Sequence, residues 1–130
     1  MKNAMSLIVI GIIAIFLNSA CEDIVEVPDI SNQEVELLAP LNATVVTESS
    51  VSFSWTEIED ADAYNMQLAI PDFENAAQIL LDSTIVVDST FVGARLIGTL
   101  PDGNFEWRVK AQNSDYETLY STASFSVVTE

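Results

Sequence analysis

Histidine is absent from this 130-residue chain, cysteine occurs once, and only four residues are cationic against 20 acids. Each shortage removes a class of chemistry. Without an imidazole there is no Ser-His-Asp triad, no Cys-His pair and no histidine zinc site. One cysteine makes no internal disulfide, so the fold stands on packing alone. GxSxG, P-loop and GxGxxG patterns are also missing. Three of the cations, Arg95, Arg108 and Lys110, oppose all 20 acids after residue 20, so that portion carries a formal charge of −17. A surface so acidic repels phosphate backbones, which excludes nucleic acid as a partner. Paired carboxylates of the glycosidase kind have the raw material here, but no pair stands in an apolar setting that would raise a pKa. The protein is read as non-enzymatic, with no cofactor.

Hydrophobicity is unevenly spread. Residues 7–17, LIVIGIIAIFL, follow Lys2 and give way to Asn18, Ser19 and Ala20. Eleven residues fall short of the ~20 needed to cross a hydrocarbon layer. A charged start and a small-residue finish match an export signal. Residues 1–20 are therefore assigned as a signal peptide, and the lone Cys21 follows at once.

FLNSAC, residues 16–21, resembles the lipobox of bacterial lipoproteins, although Asn18 stands where that pattern usually has leucine. The resemblance implies acylation of the Cys21 thiol, removal of the preceding peptide and anchorage in a membrane. Each buried methylene contributes about 0.8 kcal/mol, so several chains hold where one is marginal. An ordinary signal peptide followed by a free thiol is the alternative. Glu22 and Asp23 come next. They resemble the acidic export signal that places some lipoproteins on the outer face of the outer membrane, which implies surface display. A solvated tether is the plainer reading. Residues 21–34 are read as an acidic linker that stands the domain off the membrane.

From Val35 the pattern is strands and turns. VSFSW (51–55), AYNMQLAI (63–70), FEWRVKA (105–111) and ASFSVV (123–128) alternate apolar and polar residues, the signature of strands with one buried face. VELLAP (35–40), QILLDSTIVVD (78–88) and FVGARLIGTL (91–100) supply further apolar runs, with turn residues between them. The expectation is an all-β fold of seven antiparallel strands in two facing sheets, a β-sandwich. Trp55, the LPDGNFEWRVKAQN stretch and the closing SFSVV make residues 35–130 resemble a fibronectin type III domain, of the immunoglobulin-like class. That resemblance puts Trp55 in the core and Phe105 at the tyrosine-corner position, where it lacks the hydroxyl that bonds back to an upstream loop.

Candidate sites follow from this architecture. Loops at a sandwich end carry recognition, so Tyr116 and Tyr120 in NSDYETLYS are the candidate ligand-binding pair. Trp55 and Trp107 are in phase with apolar neighbours and are assigned to the core rather than to sugar stacking. Glu57, Glu59, Asp60 and Asp62 are a weak calcium candidate against a solvated turn, because the Asp-x-Asp-x-Asp-Gly spacing is missing. Glu106, Arg108 and Lys110 are read as a cross-strand charge ladder. The expected function is a lipid-anchored envelope binding or spacer module for a protein or glycan. The alternatives are a small carbohydrate-binding lipoprotein of a polysaccharide-uptake system and a structural subunit of an envelope complex.

Overall fold

The structure, a computed structural model, describes residues 24–130. Cys21, Glu22 and Asp23 lie outside the described residues, as does the apolar run before them. The described chain is all-β, without a helix, so no helix in it is long and apolar enough to cross a membrane. Eight strands form: β1 (Leu37–Ala39), β2 (Thr44–Val46), β3 (Ser50–Trp55), β4 (Ala63–Ile70), β5 (Gln78–Val86), β6 (Arg95–Thr99), β7 (Gly103–Gln112) and β8 (Ser121–Val127). They make a three-stranded sheet, β1-β3-β6, and a five-stranded sheet, β2-β8-β7-β4-β5.

Eight strands stand where seven were expected, and one pairing is not antiparallel. The opening apolar stretch is split at Pro40, which has no N–H to offer a ladder. A turn follows, with Ala43 at φ 65°, and the chain leaves the small sheet for the large one. There β2 pairs in parallel with β8, Thr44 opposite Phe125 and Val46 opposite Val127. Residues 37–46 thus contribute a strand to each sheet, the second of them, β2, beyond the 35–40 run.

Alternation sets the core. β3 buries Val51, Phe53 and Trp55, β4 buries Tyr64, Met66 and Leu68, β7 buries Phe105, Trp107, Val109 and Ala111, and β8 buries Ala123, Phe125 and Val127. Aromatic rings bridge the sheets: Phe53 meets Trp107 edge-on with centroids 5.1 Å apart, and Trp55 lies 6.4 Å from Trp107. Phe105 stacks on Phe125 at 5.4 Å. Burial of a ring the size of Trp107 is worth roughly 4–6 kcal/mol of transfer free energy. The Trp107 indole N–H donates to the Pro40 carbonyl at 3.0 Å, whereas the Trp55 indole N–H is buried without a partner.

Strand directions divide the loops between two poles. Segments 56–62, 87–94 and 113–120 sit at one pole, together with the N-terminal segment. Segments 47–49, 71–77 and 100–102 sit at the other, with the C-terminal residues. The packed body reaches back beyond Val35. Ile30 is 0% exposed within the core cluster, a turn links the Gln33 N–H to the Ile30 carbonyl at 3.0 Å, and the Asn113 amide donates to the Pro28 carbonyl at 2.8 Å.

Candidate functional site

The outer face of the five-stranded sheet holds the densest side-chain network. Glu106, Arg108 and Lys110 point outward from β7, as the alternation of that strand requires. Their cross-strand neighbours are neutral: Gln67 and Thr122 flank Arg108, Asn65 lies opposite Lys110, and Ala69 and Ser124 flank Glu106. The expected charge ladder between strands is therefore absent, and each charge finds a partner of another kind. Arg108 donates through Nε and Nη2 to the Gln67 Oε1, at 2.9 and 2.7 Å. The guanidinium carbon lies 4.0 Å from the Phe73 ring centroid and 4.3 Å from that of Tyr120. Lys110 pairs with Glu117 at 2.9 Å and sits 5.0 Å from the Tyr120 centroid. The hydrogen bond to Glu117 holds the Lys110 ammonium above its ordinary pKa. Glu106 accepts from the Phe73 N–H at 3.1 Å and from the Ser124 hydroxyl at 3.2 Å.

Tyr120 belongs to this network. Its hydroxyl donates to the Asn65 Oδ1 at 2.6 Å, and the Asn65 amide donates to Asp82 at 2.9 Å. With its hydroxyl engaged and two cations against its ring, it works as a clamp between sheet and loop rather than as an open platform. Tyr116 is different. It is 38% exposed, and its backbone N–H and carbonyl both bond to Asn113, at 2.9 Å each, while its ring stays free. The two tyrosines do not form one surface.

Trp55 and Trp107 are buried in the core, 2% and 0% exposed, so neither offers a face to a ligand. Glu57, Glu59, Asp60 and Asp62 occupy the turn between β3 and β4. Among the described residues no group of three or more acids is gathered to hold a metal. What organises that turn is a phenol: the Tyr64 hydroxyl accepts the Ile58 N–H at 2.7 Å. A tyrosine-to-loop hydrogen bond thus exists, on the neighbouring strand β4 but at the opposite end of the sheet from Phe105. Burial pushes the Tyr64 pKa up, the Ile58 bond opposes that rise, and nearby Glu57 adds to it.

Two of the concave features adjoin these elements. A groove of about 530 Å³ opens beside the 71–74 turn, lined by Asp72, Glu74, Asn104, Glu106, Ser124 and Ser126 among others. An apolar gap of about 220 Å³ opens between β5 and β6, lined by Phe53, Leu68, Leu80, Leu81, Leu100 and Pro101 among others. On the same flank, outside the gap's lining, Ile97 is 68% exposed and Ile79 46%, and Val92 is 76% exposed in the loop 87–94 that joins the two strands. Among the described residues no strand pairs with the outer edge of either β5 or β6. Sequence reasoning missed the Phe73–Arg108–Tyr120 stack. Its only sequence signal is an aromatic residue inside the polar turn 71–77. It missed the flank as well, although the run Ile85, Val86, Val87 already departs from strict alternation.

Comparison with known proteins finds no family model that matches the chain and no curated protein similar to it.

Proposed function

We propose that this protein is a lipid-anchored, non-enzymatic binding module of the bacterial envelope, displayed from the outer membrane, which holds an extended segment of a partner protein along its β5–β6 flank. Anchorage is supported by the lipobox-like stretch that ends at Cys21. A fibronectin type III type of sandwich is supported by the strand order, with β1, β3 and β6 in one sheet and β4 and β5 joined to β7 and β8 in the other. The flank carries the functional reading. It combines open edges, exposed Ile79, Ile97 and Val92, and an apolar gap between the sheets. Strand addition to such an edge takes affinity from main-chain hydrogen bonds and specificity from pockets for alternate side chains. A net charge of −17 after residue 20 favours a partner segment with lysine or arginine among its apolar residues.

A photo-crosslinking residue at Ile97 should join one discrete protein on intact cells, and the same probe at Val45, exposed on the opposite edge, should not. Equal products at both positions would remove the flank from the proposal. Radiolabelled palmitate should enter the wild type and not Cys21→Ala. The groove beside the 71–74 turn, with its hydroxyls and carboxylates, favours glycan binding as a second reading. A glycan-array signal from residues 21–130 that is lost on Asp72→Ala would select it.

A further inference from the structure

The N-terminal segment was expected to be a spacer, yet it is fastened to the domain. Ile30 and Val35 are 0% and 1% exposed and belong to the core cluster. The Asn113 amide reaches back to the Pro28 carbonyl at 2.8 Å and lies 3.4 Å from the Asp60 carbonyl, so one side chain ties the segment to two loops of the same pole. The Thr56 N–H donates to the Glu36 carbonyl at 2.8 Å, continuing the seam into β1.

We propose that Pro28–Val35 is a latch, and that it fixes the pole bearing loops 56–62, 87–94 and 113–120 towards the lipid surface. This rests on the lipid attachment at Cys21 proposed above. Pro28 is seven positions after Cys21, a reach of at most about 25 Å when fully extended. β7, with ten residues, is about 33 Å long. The free tether is thus shorter than the domain, so the far pole cannot turn over to meet the membrane while the latch is closed. The near pole is also the acidic one. Eleven of the 18 described acids lie in its loops and N-terminal segment, among them Glu57, Glu59, Asp60 and Asp62. Anionic headgroups repel that charge over a Debye length of about 10 Å at 0.1 M salt. The tether reaches beyond that distance, so the pole faces the lipid without resting on it. In this posture the β5–β6 flank stands along the membrane normal and is approached from the side. The groove beside the 71–74 turn faces away from the lipid, and Tyr116 faces towards it.

The test uses residues 21–130, which hold every core residue among the described ones, with the single cysteine coupled to a maleimide phospholipid in zwitterionic vesicles. Coupling makes the measurement independent of natural acylation, which the palmitate experiment tests separately. A donor fluorophore is placed through a non-natural residue at Leu119, exposed at the near pole, or at Glu74, exposed at the far pole. Energy transfer to headgroup-labelled acceptor lipid should be severalfold greater from 119 than from 74. Equal or reversed transfer would overturn the orientation. Asn113→Ala and Ile30→Asp should both narrow the difference, with Asn113→Ala doing so at unchanged fold content. A full difference retained in both variants would show that the latch has no part in it.

Discussion

Tyr64 fastens the middle of the 56–62 loop through one hydrogen bond, while backbone bonds of Thr56 and Asp62 hold its two ends. Tyr64→Phe keeps the ring and removes the acceptor, which leaves the Ile58 N–H to water or to nothing. A loss of about 1–2 kcal/mol is expected, read as a lower urea midpoint at unchanged m-value. The same residue sets an alkaline limit. Burial raises its pKa, so the folded state favours the neutral phenol. Its contribution is intact below the unfolded value near 10 and is lost as pH rises through the higher folded value. Stability of the wild type should therefore fall across that window, and the phenylalanine variant should show a flatter profile there. The sequence places Tyr64 in phase with Met66 and Leu68, which suffices to bury it. Its hydroxyl partner could not be read, because it depends on how the turn through Asp60, at φ 67°, closes. The Arg108 stack escaped for a related reason: its rings come from positions 73 and 120, brought together only by the sheet.

Strands with one wet face announced themselves, as β3, β4, β7 and β8 show. Strands that break the alternation did not. β2 has three residues and becomes a strand only because β8 lies beside it. β5 carries a bulge, with Ala69 opposite Ile79 and Leu68 opposite Leu81, so Leu80 is left over. Such a bulge bends an edge and interrupts its pairing. The continuous run left for a partner strand is Leu81–Val86. On the facing edge, Gly98 turns its bare Cα towards Phe53, and an added methyl would lie 3.7 Å from the ring, an ordinary contact. Gly98→Ala should therefore stabilise the domain by about 0.4–1 kcal/mol, through reduced freedom of the unfolded chain. Thermal unfolding checks this, and a loss of stability would mean that the gap between the sheets does not accept the methyl.

For the whole molecule, charge and hydrogen bonding pull in opposite directions as pH falls. Asp29, Asp88 and Asp102 are held below the ordinary aspartate pKa by hydroxyl and backbone bonds from Ser31, Thr90 and Thr129. Their contribution is present above the unfolded value of about 3.8 and is lost as pH falls through the lower folded values. Self-repulsion among the acids weakens over the same descent. The melting temperature should stay nearly level between pH 8 and pH 5, a range in which a chain without histidine changes its charge little, and fall below pH 3.8. Added salt should raise it at pH 7 and do little near the isoelectric point, about 4.1. The break at Pro40 has a mechanical consequence. If the proposed anchor and flank partner pull against each other, tension enters at the N-terminal pole and leaves sideways through the β5–β6 flank. It meets β1 against β3 along the strand axes. That ladder must then yield in shear instead of opening bond by bond, which makes this short strand the domain's resistance to pulling.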